Sequence, residues 1–263
     1  RANNSLNIKL INQLSTHIQA PILADPLSQI RYKNKSSLSS YDHYINHLDK
    51  TPDLIIRIGQ KPVSKNLCAK LEKWKNKTIL IDPTGRFNDD AGKIITANYE
   101  YVIKNILETT KPKRVSKFYN YLYKIDQQVA DSLKKENQWS ELLITKLSLS
   151  SMGNNENLFI ANSMPIRYLD MIEPLDSRKN INTYSNRGVS GIDGVLSTAF
   201  GVAKSSKKKT LLLIGDLSFI HDLNSLTIAK QYNINLTIII INNNGGGIFS
   251  LLPISGLIDK KTF

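Results

Sequence analysis

Apolar residues recur along this chain in two rhythms. Short runs at residues 54–59, 78–82, 93–97, 158–162, 211–216 and 236–242 are rich in Ile and Leu, and each is the length of a strand. Between them, apolar positions fall every three or four residues, as in Val63, Leu67, Leu71 and Trp74. That spacing predicts a helix over 63–74. It also predicts a helical start around Leu6, Ile8, Leu10, Ile11 and Leu14, a long helix over 118–135, a helix over 163–171 and one over 190–203. A further short strand at 21–25 ends in Asp25. Strands alternating with helices predict an α/β protein built from parallel, doubly wound sheets.

The basic, Pro-containing stretch 111–117 interrupts this alternation and reads as a linker. Two domains follow from it, 1–112 and 113–263. The chain opens on Arg within a helical pattern and closes shortly after Phe249, so a segment of a longer protein is expected.

Composition narrows the class. The apolar runs are too short to span a bilayer, so no membrane span is expected, and residues 1–20 lack the pattern of a signal peptide. One cysteine, Cys68, excludes an intrachain disulfide and reads as a packing residue. The net charge is +13. Its Lys and Arg are scattered among Asn and Ile in short runs such as 111–114 and 207–209, so no nucleic-acid partner is expected. The same Lys, Asn and Ile bias is that of an AT-rich genome, which suits a plastid or a low-GC bacterial cytoplasm.

The strongest chemical signal joins two strand ends. Asp216 leaves the run 211–216, and Asn243 leaves the run 236–242, 27 positions later. A strand–helix–strand crossover has that length, which brings both polar groups to one edge of a parallel sheet. Gly245, Gly246 and Gly247 follow and allow close backbone approach to a ligand. A carboxylate, an amide oxygen and a loop carbonyl are hard ligands that suit Mg²⁺ bound to a diphosphate.

This pattern resembles the diphosphate-binding motif of thiamine-diphosphate enzymes. Leu217 stands where the general motif has Gly. The strings GDLSFIHDLNSL (215–226) and NNNGGGIFSLLP (242–253) are similar to the 2-succinyl-5-enolpyruvyl-6-hydroxy-3-cyclohexene-1-carboxylate synthase family of menaquinone and phylloquinone biosynthesis. ANSMPIR (161–167) and SNRGVSGIDG (185–194) carry the same resemblance, and APILADPLSQ and GQKPVSKNL extend it into the first half.

The resemblance implies a middle Rossmann-like domain over 1–112 and a domain holding the diphosphate and metal over 113–263. It places the pyrimidine-binding domain, with the Glu that contacts the aminopyrimidine, outside this chain. Thiamine diphosphate and Mg²⁺ (or Mn²⁺) are the implied cofactors, with Asp216, Asn243 and the Gly245 carbonyl ligating the metal. Ser163, Arg187, Gly188, Ser190, Ile192, Leu217, Ser218, Gly247 and Ile248 line the cofactor. Ile192 lies beneath the thiazolium, and Ile248 and Phe249 wall the reacting centre with Leu252 nearby. Arg167 and Arg187 pair with substrate carboxylates, and Lys65 reaches an anionic substrate. Asn66 replaces a basic residue that members of the family often carry after that Lys.

The implied activity is that of a transketolase-type carboligase. It decarboxylates 2-oxoglutarate and adds the resulting succinyl group to isochorismate, in a homo-oligomer whose sites span two subunits. Two other functions also fit the residues. One is an acetolactate-synthase-like carboligase or decarboxylase with different substrates; the other is a non-catalytic subunit that only binds diphosphate.

Overall fold

The computed structural model describes residues 6–85, 89, 91–114, 116–172 and 179–251. The chain forms two compact units, one of Arg1–Asn137 with Asp170–Arg178 and the other of Gln138–Leu169 with Lys179–Phe263.

Unit 1 opens with α1 (Ile8–Ile18), which buries Leu10, Ile11 and Leu14 on one stripe. Asn7 caps it, its side chain accepting from the Leu10 N–H at 3.1 Å. The short strands β1 (Ile22–Leu23) and β2 (Ser37–Leu38) pair in parallel. The one-turn helix α2 (Tyr41–Tyr44) follows. Then come β3 (Ile55–Ile58), α3 (Lys65–Lys73), β4 (Thr78–Ile81), β5 (Lys93–Ile95), α4 (Tyr99–Thr109) and α5 (Lys117–Lys135). Strands β3, β4 and β5 form a parallel sheet in sequence order. The expected strand over 21–25 shrinks to two residues because Asp25 turns inward as a structural acceptor. Its carboxylate takes the N–H groups of Leu27 at 2.8 Å and Val63 at 2.7 Å, and the residue is 5% exposed.

Helix α5 packs with unit 1, beyond the domain boundary expected at 112. The cause is Asp126, 1% exposed on its inner face. That carboxylate accepts from the N–H groups of Ser39 and Ser40 and from the Tyr44 hydroxyl, so α5 is tied to the β2–α2 turn. The stretch between α4 and α5 carries no regular element among its described residues. It is fastened all the same, through the Lys113 N–H to the His17 carbonyl at 2.8 Å.

Unit 2 holds α6 (Glu141–Ser151), β6 (Asn157–Ile160), α7 (Met164–Met171), β7 (Asn182–Tyr184), α8 (Val195–Ser206), β8 (Thr210–Gly215), α9 (Asp216–His221), α10 (Leu226–Tyr232) and β9 (Leu236–Ile241). The last residues of α7 are grouped with unit 1. The sheet is entirely parallel in the order β7-β6-β8-β9. Phe159, Leu212 and Ile214 pack there against Val195, Leu196, Ala199 and Phe200 of α8. The helix expected from residue 190 begins at Val195, because Gly194 adopts φ +63° and cannot continue a right-handed turn. The two sheets and their crossover helices make this an α/β protein of the doubly wound, Rossmann-like type.

Candidate functional site

Strand order decides where the site lies. After β6 the chain moves to one side for β7, then crosses back to β8 on the other side of β6. Order reverses between β6 and β8, and in open parallel sheets a crevice opens at the carboxyl ends of such a strand pair. Three segments emerge at those ends: 161–163 after β6, 185–194 after β7 and 216–218 after β8. The loop 242–246 leaves β9 beside them.

Asp216 begins directly at the end of β8, where Gly215 stands in register with Ile241 of β9. One carboxylate oxygen of Asp216 accepts the N–H of Asn243 at 3.2 Å and that of Gly245 at 2.8 Å. The other accepts its neighbour Leu217 N–H at 2.7 Å. The loop supplies this geometry through left-handed backbone at Asn244 (φ +62°), Gly245 (+80°) and Gly246 (+65°). A β-carbon at residue 245 would press on the Leu217 side chain at 3.2 Å, so Leu217 and Gly245 are matched in size.

Asp216 offers a carboxylate and Asn243 an amide oxygen at one sheet edge. That chemistry fits a hard divalent cation better than a zinc-like ion. Among the described residues no group of three or more His, Cys, Asp or Glu side chains could hold a metal ion.

Both expected arginines are anchored on neighbouring residues of the β6–α7 turn. Arg167, exposed on α7, donates to the Ser163 carbonyl at 2.5 Å. Arg187 donates to the Asn162 side-chain oxygen at 3.2 Å. Ser163 itself holds φ +69°, a strained conformation for a residue with a β-carbon. Ser218 is buried and its hydroxyl donates to the Ile192 carbonyl at 3.3 Å, which joins the β8 segment to the Gly-rich loop. Ile192 is 40% exposed, and Gly188 and Ser190 are exposed beside it. Gly247 and Ile248 are half-buried, and Phe249 is exposed. Leu252 lies outside the described residues. Lys65, the first residue of α3, is exposed in unit 1. It borders a cleft with Arg57, Lys61 and Glu72.

Two residues at this edge were not singled out from the sequence. Asn162 is 5% exposed and holds the 185–194 loop at two points, its amide donating to the carbonyls of Asn186 and Gly191, each at 2.8 Å. An Asn closing a buried strand was the visible signal. Glu141, at the start of α6, accepts the Asn243 side-chain N–H at 2.9 Å. It also accepts the hydroxyl of Tyr168, whose pKa is raised by burial and then by the Glu141 charge. Nothing local in the sequence marks Glu141, since the contact joins positions 102 residues apart.

Residues 171–251 match the family described as thiamine pyrophosphate enzyme, C-terminal TPP binding domain. The match includes Arg187, Asp216 and Asn243. Over nearly its whole length the chain is similar to proteins named 2-succinyl-5-enolpyruvyl-6-hydroxy-3-cyclohexene-1-carboxylate synthase. The Enterococcus faecalis protein is 36% identical over 258 residues, covering 92% of this chain and 44% of that protein. The Staphylococcus haemolyticus protein is 37% identical over 257 residues, with the same coverage. The Bacillus cytotoxicus protein is 34% identical over 261 residues, 94% of this chain and 44% of that protein. The resemblance read from the sequence therefore holds along the chain, which spans less than half the length of these relatives. Among the described residues no helix is long and apolar enough to cross a membrane.

Proposed function

We propose that this chain is the middle and diphosphate-binding part of a thiamine-diphosphate enzyme. On this reading it decarboxylates 2-oxoglutarate and adds the succinyl unit to isochorismate, giving 2-succinyl-5-enolpyruvyl-6-hydroxy-3-cyclohexene-1-carboxylate. One observation carries the reading: the Asp216 carboxylate and the Asn243–Gly245 loop converge at the carboxyl edge of the sheet, within hydrogen-bonding distance of each other. The family match and the relatives' names support it.

Asp216, the Asn243 amide oxygen and the Gly245 carbonyl would hold Mg²⁺ or Mn²⁺ against the diphosphate, with Ser163, Ser218, Gly188, Ser190 and Gly247 around it. Thiamine diphosphate, when bound, supplies the electron sink that makes loss of carbon dioxide from a 2-oxo acid feasible. The chain's own part is binding, orientation and exclusion of water. Ile192, Ile248 and Phe249 would wall the reacting centre and, with the cofactor bound, keep water from the reacting carbon. Arg167 and Arg187 are planar, permanently charged donors suited to carboxylates. 2-Oxoglutarate is a dianion and isochorismate carries two carboxylates, so both substrates present what these side chains bind. Asn162 and Ser163 aim the two guanidinium groups by taking one hydrogen bond from each. Lys65 adds a cation from the middle domain.

The pairing of a middle domain with a diphosphate-binding domain, the homo-oligomer with sites shared between subunits and the membership of the transketolase-type transferases belong to the same proposal. The bacterial origin of the compared relatives supports a bacterial cytoplasm ahead of a plastid stroma. The test is turnover by the full-length protein with isochorismate and either 2-oxoglutarate or pyruvate. Carbon dioxide release and product formation with 2-oxoglutarate alone support the reading. Preference for pyruvate, or no turnover with either, contradicts it.

A further inference from the structure

Asn243 poses a question of orientation. An amide offers an oxygen on one limb and an NH₂ on the other, and a half-turn exchanges them at little cost. Only the oxygen is a ligand for a hard cation. If the amide is to serve Mg²⁺, something must fix which limb faces the site.

Glu141 stands on the opposite limb. Its carboxylate lies 2.9 Å from Asn243 Nδ2. An ionised carboxylate accepts and never donates, so it can face only the NH₂ limb. The oxygen limb then points away from Glu141. The carboxylate is itself fixed: it starts α6 behind the Ser140 cap, whose side chain accepts from the Leu143 N–H, and it receives the Tyr168 hydroxyl. Gly247 leaves room for the amide, since a β-carbon there would sit 2.5 Å from Asn243 Nδ2; the charge of Glu141, and not this space, distinguishes the two limbs.

We infer that Glu141 is a positioning residue that selects the amide orientation of Asn243 and so sets the affinity of the site for its divalent cation. The inference rests on the proposed role of Asn243 as a ligand. Glu141 itself needs no contact with cation or cofactor.

The test uses the full-length protein with thiamine diphosphate and Mn²⁺, whose binding is read directly from its electron paramagnetic resonance signal. Glu141→Ala weakens Mn²⁺ binding about 10- to 100-fold, the range found for residues that orient ligands. Glu141→Gln keeps a side-chain oxygen acceptor and restores most of the affinity. Should Glu141→Ala fail to fold, Glu141→Leu removes the acceptor at similar volume.

A double-substitution cycle separates positioning from structural support. Asp at 243 has oxygen on both limbs, so orientation no longer matters. In the Asn243→Asp background, Glu141→Ala leaves Mn²⁺ affinity unchanged or raises it by removing a like charge. Equal weakening in both backgrounds overturns the inference, as does a Glu141→Ala protein that binds Mn²⁺ within threefold of wild type. Absence of cation-dependent cofactor binding in wild type overturns the functional reading instead, and that result is visible before any variant is compared.

Discussion

Asp216 and Asn243 meet across the ends of two adjacent parallel strands, the carboxylate of the first accepting the backbone N–H of the second at 3.2 Å. The same oxygen also takes the Gly245 N–H at 2.8 Å. The acid that would ligate the cation thus already orders the loop that supplies the other ligands.

That dual role predicts a change visible without any cation. Hydrogen bonds to a charged acceptor contribute about 1.5–3 kcal/mol, and 1.4 kcal/mol is a factor of ten. In Asp216→Ala, amide exchange at residues 243 and 245 accelerates about tenfold or more relative to wild type, measured by hydrogen exchange in chelator. Unchanged exchange there would show that the loop is ordered by its own backbone geometry.

Asn162 makes a second prediction. It holds two loop carbonyls and receives Arg187, all from a nearly buried position. Asn162→Ala takes the donor from the Asn186 and Gly191 carbonyls and costs about 1–3 kcal/mol of stability. It also removes one of the contacts that hold Arg187, so on the proposed function KM for 2-oxoglutarate rises while Mn²⁺ affinity stays near wild type. Steady-state kinetics and Mn²⁺ titration of the one variant check both halves.

How much of this was readable in advance depends on range along the chain. Strands β3, β4, β8 and β9 announce themselves as continuous apolar runs, inside the sheet at β4 and β8 and at its edge at β3 and β9, and Asp216 and Asn243 could be paired because a crossover has a characteristic length. Strand β2 stayed hidden: two residues, Ser37 and Leu38, carry no periodicity, and their pairing with β1 is set by the inward turn of Asp25 and the hold of Asp126. Helix α5 was legible as a helix, but its membership of unit 1 rests on Asp126 reaching residues more than 80 positions away. Glu141 was invisible for the same reason. Its partner is specified by the fold and by no local pattern.

A third prediction concerns the core of unit 1. Arg31 is fully buried and donates to the Asp170 carboxylate at 3.1 Å and to the Asp170 carbonyl at 2.7 Å, and the Tyr41 hydroxyl donates to the same carboxylate oxygen at 2.9 Å. Burial pushes the Asp170 carboxyl up from 3.8 to about 7, against the opposing pull of Arg31. The folded chain therefore holds this proton more tightly than the unfolded chain. Its contribution to stability is complete below about pH 4 and is lost as pH rises to about 7. Thermal midpoints accordingly fall over that interval in wild type, and Asp170→Asn flattens the slope. Arg31→Met removes the partner and costs about 3–5 kcal/mol, most severely at pH 8 where the carboxylate is charged. A wild-type midpoint that rises from pH 5 to pH 7 in step with that of Asp170→Asn would refute this assignment.

Lys65 tests the contribution of unit 1 to the reaction. It is exposed at the start of α3, and the proposed function gives its charge to an anionic substrate. Lys65→Ala raises KM for isochorismate about tenfold, the loss of one charge-assisted hydrogen bond, with thiamine-diphosphate affinity unchanged. A KM equal to wild type would make Lys65 a solvated helix residue.

The most direct measurement is calorimetric titration of the full-length protein with thiamine diphosphate, with Mg²⁺ and with chelator, in wild type and in Asp216→Ala. Wild type should bind the cofactor tightly only when Mg²⁺ is present, and Asp216→Ala should lose that dependence together with about a hundredfold or more in affinity, since its carboxylate is the one anionic ligand in the proposed set. An Asp216→Ala protein that binds the cofactor as wild type does, with the same response to Mg²⁺, would contradict the account at its centre.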